Sequence, residues 1–87
     1  MKCYVLCSSV TYAVKGRNLL MSRGITASLL RPPIEISSCG CGYVIGVDKS
    51  VLGTAIKILR ENLVKINSIY CLGDDGKYKE VFPRDLP

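Results

Sequence analysis

Apolar residues recur with two different periods along this chain, and the change of period separates strands from helices. The β-prone residues 3–7 are bounded by serines and predict a first strand. Ser8 and Ser9 are predicted to cap a helix, because a serine oxygen accepts an amide hydrogen of the first helical turn. This helix should run from Val10 to Arg23 and close on Gly24 in a left-handed conformation. Its apolar stripe consists of Val10, Ala13, Val14, Leu20 and Met21.

Three more strands and a second helix follow from the same patterns. Strand two is predicted at 25–30, strand three at 43–47 and strand four at 65–72. Asp48 or Ser50 should cap the second helix, which extends to about Leu63. The apolar stripe of this helix consists of Val51, Leu52, Ala55, Ile56, Leu59 and Leu63.

The C-terminal part is predicted to extend the sheet beyond these elements. The Gly-Asp-Asp-Gly stretch at 73–76 is typical of a turn. Residues 77–82 alternate between polar and apolar side chains, which favours an extra edge strand.

The element order β-α-β-β-α-β predicts an α+β, ferredoxin-like sandwich. In that topology both helices cover one face of an antiparallel sheet with strand order 4-1-3-2. We expect a single domain over 1–87, with its core at 3–72 and a C-terminal hairpin or tail at 73–87. The end of strand one, the start of helix one and the loop at 31–42 should then lie together. This places the loop beside Ser8 and Ser9.

Charge and hydropathy exclude some function classes. The net charge is +5, from 12 basic and 7 acidic residues, but the basic residues are scattered rather than grouped in a stripe. A nucleic-acid partner is therefore disfavoured. No apolar run approaches the roughly 20 residues that a membrane span needs, so we expect no membrane association. The N-terminal residues fit a strand and a helix better than a leader peptide, which favours a cytoplasmic location.

The five cysteines form an odd set, which argues against a secreted disulfide scaffold and favours reduced thiols. The sequence contains no histidine, and the spacing of Cys39 and Cys41 is too tight for the usual zinc sites, so no metal is expected. Cys3 and Cys7 are interpreted as small buried apolar residues. Cys71 is expected to neighbour Cys3 across the sheet.

Cys41, and secondarily Cys39, are candidates for a nucleophilic thiol. Gly40 and Gly42 flank Cys41, so backbone amides there can turn toward its sulfur and stabilise a thiolate. The start of helix one and Arg31 would add positive potential. The alternative reading is a turn in which both cysteines serve as packing residues. Cys7 is a candidate resolving thiol, since strands one and three should be neighbours.

A series of short motifs runs along the chain from strand one to the cysteine loop. They are Ser9 and Ala13, Leu19–Leu20, Gly24–Ile25, Pro32–Pro33, Ile36–Ser37–Ser38 and Cys41–Gly42. By these motifs the chain resembles a family of small bacterial domains described as selenium/sulfur carrier protein-like. The resemblance covers about residues 3 to 72, and the Ile-Ser-Ser and Cys-Gly motifs after a proline loop are its most specific part. Two differences stand out: the family usually has one cysteine where this chain has Cys39 and Cys41, and Arg17 replaces an acidic residue.

The resemblance implies a carrier of sulfane sulfur or selenium that takes the atom from a donor protein and gives it to an acceptor protein. No resident cofactor is implied beyond the covalently held sulfur or selenium. The absence of a full catalytic set favours a carrier or binding protein over an enzyme. The alternative is a ferredoxin-like interaction or regulatory module with structural cysteines, and a homodimer would cover its helix-free sheet face. The residues expected to hold the anionic group are Ser8, Ser9, Ser37, Ser38, Gly40 and Gly42.

Overall fold

The computed structural model describes residues 2–33, 36 and 43–82 of the chain. Helices and strands alternate in the predicted order, followed by one further strand. A 3-10 turn, Lys49–Val51, precedes the second helix. The elements are β1 (Lys2–Cys7), α1 (Val10–Ser22), β2 (Ser28–Leu30), β3 (Val44–Asp48), α2 (Leu52–Glu61), β4 (Ile66–Leu72) and β5 (Tyr78–Glu80).

The described residues form a five-stranded antiparallel sheet with the order β2-β3-β1-β4-β5. The four strands predicted in the order 4-1-3-2 take that order. The observed sheet has one strand more than this four-stranded order, because β5 is added at the edge beside β4. The turn between β4 and β5 closes on Gly76, whose φ of 78° is in the left-handed region that favours glycine. This turn therefore extends the sheet as a short hairpin.

Strand periodicity divides the sheet into a helix-covered face and a helix-free face. Along β1, Cys3, Val5 and Cys7 pack in the larger core with both helices, whereas Leu6 belongs to a second cluster on the opposite face. This second cluster is rich in tyrosines, and the rings of Tyr4 and Tyr78 lie 5.8 Å apart. Its members are Leu6, Ile36 and Val44, with half-buried Tyr4, Leu30, Tyr70 and Tyr78 packed around them.

The first helix begins at its predicted cap and buries only part of its predicted stripe. The Ser9 hydroxyl accepts the Tyr12 amide at 3.2 Å. The predicted stripe is confirmed at Ala13 and Leu20, which are buried, and is wrong at Val10 and Met21, which are 41% and 51% exposed. Gly16 is the further buried residue of this helix. The helix comes so close to the sheet that a Cβ on Gly16 would lie 2.8 Å from Ile45 Cδ1, so large side chains do not fit there.

The end of α1 explains why the second strand is shorter than predicted. Gly24 has the predicted left-handed conformation, with a φ of 81°. The Ile25 amide donates to Leu20 O and the Gly24 amide to Met21 O, which is the Schellman pattern. Because Ile25 completes this cap, the strand starts at Ser28 instead of residue 25.

The second helix ends with the same pattern, on a residue that is not glycine. Val64 donates to Leu59 O at 3.0 Å, and Leu63 has a φ of 61°. Leu63 was predicted to extend the buried stripe, which is wrong, because its side chain is 81% exposed. The left-handed turn points the chain back to the sheet, so Val64 takes the core position and is 4% exposed.

Candidate functional site: the base of the cysteine loop

The segment that joins β2 to β3 leaves and rejoins the sheet at one end. Leu30 pairs with Val44, and the pairing of Val5 with Ile45 places Val44 level with Leu6. Both ends of the segment therefore lie where β1 ends. Helix α1 begins and β4 starts at this same end, since the Ser8 amide donates to Lys65 O at 3.2 Å. This is the end of the molecule at which the topology predicted the loop.

The candidate thiols themselves fall in a part of the loop that is not described. Cys39 and Cys41 lie outside the described residues, as do Ser37, Ser38, Gly40 and Gly42. The roles assigned to them from the sequence therefore stay predictions. The described residues on either side of this part, 31–33, 36 and 43, form the base of the loop.

The first anchor of this base is Ile36, three positions before Cys39 in the sequence. Its side chain is 3% exposed and packs in one cluster with Leu6 and Val44. The Ile36 amide donates to Pro33 O at 3.0 Å, which turns the chain after the two prolines. Burial of an isoleucine side chain is worth roughly 1.5–3 kcal/mol, enough to hold this point of the loop against the sheet.

The second anchor joins the two sides of the loop through a cation–π contact. The Arg31 guanidinium lies over the Tyr43 ring, 5.0 Å from its centroid. Arg31 follows β2, and Tyr43 precedes β3 by one residue and follows Gly42 directly. The contact is worth about 0.5–1 kcal/mol at an exposed site. It also keeps a permanent positive charge at the base of the cysteine-bearing stretch.

Ser8 and Ser9 are predicted to hold an anionic group. In the structure, each of them makes a hydrogen bond within the fold. The Ser8 amide is bonded to Lys65 O, and the Ser9 hydroxyl accepts the Tyr12 amide. Ile36 lies on the helix-free face, whereas α1 packs on the opposite face. An anion-binding role for the two serines stays a prediction.

The structure corrects the expectation that all cysteines are reduced. Cys3 and Cys71 are paired across β1 and β4, as expected, but they form a disulfide with an S–S distance of 2.08 Å. Both residues are buried, so the bond lies inside the core on the helix-covered face. Cys3 and Cys71 are directly opposite each other in the pairing of β1 with β4, which brings their Cβ atoms close together. Their positions in the sequence predicted this contact but not that the two sulfurs are bonded.

Cys7, the predicted resolving thiol, is fully buried on the helix-covered face of β1. It pairs with Ile66 after an irregularity in the register between Leu6 and Cys7. A loop thiol would have to enter the core to react with it. The resolving role stays a prediction, because its partner Cys41 is outside the described residues.

Sequence reasoning missed both anchors of the loop. Ile36 is one of two isoleucines, with Ile34, in a short stretch of prolines and serines, and no hydrophobic period marks it as buried. Arg31 and Tyr43 lie 12 positions apart, so only the pairing of β2 with β3 brings them together.

Within the described ranges, no helix is both long enough and apolar enough to cross a bilayer.

A known protein family matches most of this chain, including the segment that contains the loop. The model of a family described as "Putative Se/S carrier protein-like" matches residues 2–71. No curated protein and no solved structure matches the chain. The matched region begins with β1 and stops within β4, so it contains the anchored loop and both disulfide cysteines but not β5.

Proposed function

Because the chain belongs to the Se/S carrier protein-like family, we propose that it carries sulfane sulfur or selenium on a cysteine of the 37–42 loop. Cys41 is the first candidate and Cys39 the second. The observation that carries the proposal is the anchoring of this short stretch at both ends, by Ile36 and by Tyr43. A carrier needs an exposed thiol held in one region of space rather than a full catalytic set.

The transfer step is a thiolate exchange. The Cys41 thiolate attacks the terminal sulfur of a persulfide on the donor protein. A new S–S bond forms at Cys41, the donor's S–S bond breaks, and the donor leaves as a thiolate. The proton of the terminal sulfur travels with it, and no external oxidant or reductant is consumed. Delivery to the acceptor protein repeats the exchange in the opposite sense.

The electrostatics of the loop base favour an anionic sulfur. Arg31 is held at this base by its contact with Tyr43. A neighbouring cation lowers a thiol pKa and stabilises the anion of a persulfide. Gly40 and Gly42 on either side of Cys41 would allow backbone amides to point at the same sulfur. The chain contains no histidine, so a Cys-His pair is not an alternative source of activation.

Sulfur loading followed by mass spectrometry tests the proposal. The protein is incubated with a cysteine desulfurase and cysteine, and the adduct is located by peptide mapping. We expect one additional sulfur atom on the peptide that contains Cys41, and its loss in Cys39→Ser/Cys41→Ser. The two single variants identify the carrier residue. Cys7→Ser is the matched control, since its thiol is buried and its loading should be unchanged.

Two results would contradict the carrier function. One is a wild-type protein that takes up no sulfur from the desulfurase. The other is equal loading of the wild type and of Cys39→Ser/Cys41→Ser. If both loop thiols also resist alkylation in the native protein, the cysteines are packing residues and the interaction-module alternative replaces the carrier.

A further inference from the structure

The two helices do not cover the whole sheet. Both contact β3, and α1 also packs on β1 and β2. The C-terminal part of β4 is covered as well, since Ile69 and Cys71 are buried in the core with the helices. Cover is incomplete at the start of β4 and the end of β5, where Ile66 and Val81 are half-buried. A groove of about 690 Å³ lies there, between the start of α1, the end of α2 and β4.

The groove has the character of a small-molecule site. Its apolar lining includes Tyr12 from α1, Ile66 from β4, and Val81 and Phe82 after β5. Phe82 is 44% exposed, so its ring contributes accessible apolar surface to the groove. Ligand sites in proteins are mostly apolar, with a few polar groups, and measure about 300–1,000 Å³. This groove falls within that range.

Two cations define the polar part of the groove. Arg60, in the last turn of α2, and Lys65, just before β4, both line it. Within the described ranges, neither is joined to a carboxylate by an ion pair. Glu80 is the acidic residue in the lining, so the described lining has an excess of positive charge. An apolar groove with two such cations is complementary to a ligand with one negative charge.

Leu63 adds a second, independent observation at the rim. It lines the groove and is 81% exposed. It also occupies the left-handed position that normally belongs to glycine at a helix end, with a φ of 61°. A leucine there has an unfavourable backbone conformation and gains little from burial. Such local cost is concentrated at binding sites, where the side chain contacts a ligand.

We propose that this groove binds a small carboxylic acid with an apolar body. The apolar part lies against Tyr12, Ile66 and Phe82 under the side chain of Leu63. The carboxylate meets Arg60 and Lys65. None of these residues belongs to the cysteine loop, so the proposal does not rest on sulfur transfer.

Titration with a matched pair of ligands tests the proposal. Decanoate, below its micellar concentration, is added to the isotopically labelled protein, and amide shifts are followed by NMR. Decyltrimethylammonium has the same apolar chain with a positive head group. We expect saturable shifts at Tyr12, Lys65 and Ile66 with decanoate, and much weaker shifts with the cation.

Variants separate specific contacts from overall charge. Arg60→Gln/Lys65→Gln should weaken decanoate binding about five- to tenfold, since contacts between exposed charges contribute modestly to binding. Lys49→Gln/Lys57→Gln removes the same charge from exposed positions outside the groove lining and should bind as the wild type does. All four substitutions lie at exposed positions, so the variants are expected to fold.

Three results would overturn the proposal. One is the absence of saturable shifts at the groove. A second is equal binding of decanoate and decyltrimethylammonium, which would mean unselective apolar adsorption. A third is equal weakening by the two double variants, which would attribute the effect to net charge. Loss of sulfur loading with decanoate binding intact would remove the carrier function and leave this inference standing.

Discussion

Cys3 and Cys71 are joined by a disulfide that connects β1 to β4 across 68 positions of sequence. The two residues belong to neighbouring strands at the centre of the sheet and are buried beneath the helices. Their bond closes nearly the whole region that the family match covers. Core stability in this protein is therefore linked to the oxidation state of two cysteines that are distant from the loop thiols in sequence.

Reduction of this disulfide should destabilise the fold. Closing a loop of this length is worth about 4 kcal/mol in the chain-entropy account, because the crosslink restricts the unfolded chain. We expect the urea midpoint of the wild type to fall when a reductant is added. Cys3→Ala/Cys71→Ala should start at the lower value and show no response to reductant. Equal midpoints for the oxidised and reduced wild type would contradict this expectation.

Gly16 should tolerate no larger side chain. A Cβ there would lie 2.8 Å from Ile45 Cδ1 and 3.0 Å from Leu59 Cδ2, at the closest approach of α1 to the rest of the core. We expect Gly16→Val to lower the free energy of unfolding by about 1–3 kcal/mol through overpacking. Lys15→Val places the same side chain at the exposed neighbouring position of the helix and should cost much less. Similar losses in both variants would mean that overpacking at Gly16 is not the cause.

Leu63→Gly should stabilise the protein. Glycine relieves the left-handed strain at a φ of 61°, and little buried surface is lost because Leu63 is 81% exposed. The expected gain is about 0.5–1 kcal/mol in the free energy of unfolding, since glycine is the preferred residue at this position. Asn62→Gly is the control, because Asn62 has a negative φ of −105° and its side chain donates to Ile58 O at 2.9 Å. It should lower stability. A loss in Leu63→Gly would mean that the side chain itself stabilises the fold.

Asp48 should make a small, acid-sensitive contribution to stability. Hydrogen bonds from the Ser50 hydroxyl and then from the Ser50 amide lower the pKa of Asp48 below its usual 3.8. Because the folded-state pKa lies below the unfolded one, the contribution is present above the unfolded value and is lost as pH falls through the folded value. The pH dependence of thermal unfolding below pH 4 should therefore flatten in Asp48→Asn.

Ser50→Ala provides the control for this assignment. It removes the hydroxyl donor and keeps the backbone one, so the pKa of Asp48, followed by carbon-detected NMR, should rise toward its usual value without reaching it. An unchanged pKa in this variant would show that the Ser50 hydroxyl does not stabilise the carboxylate.

Local sequence patterns predicted the elements in which the hydrophobic pattern matches the residues that are buried in the structure. The cap of α1 was found at Ser9, and Asp48 was found as a cap of the 3-10 turn that leads into α2, because each side chain bonds an amide two or three residues away. Helix α2 itself begins after Val51 without a side-chain cap. The stripe of α2 was correct at Leu52, Ala55 and Leu59, because periodicity reports a helix that buries one face. The first helix was misjudged at its ends. Its contact with the sheet is made through Gly16, and a missing side chain carries no signal in a hydrophobic pattern.

The candidate site was predictable only in part. The topology brings the loop ends to the start of α1, as the order of elements implied. The anchors of the loop depend on pairs such as Arg31 with Tyr43 and Ile36 with Leu6, which are distant in sequence. No periodicity links such residues, so their contact emerges only when the sheet is assembled.

By itself, the sequence determined the order of strands and helices, the caps and turns, and the family to which the chain belongs. These properties depend on the spacing of residues within a few turns of chain, where local hydrogen bonding and the burial of one face decide the structure. Tertiary structure alone decided that Cys3 and Cys71 are bonded, that the cysteine loop is anchored at both ends, and that a groove remains beside α2. Each of these depends on which distant residues meet when two helices cover only part of a five-stranded sheet.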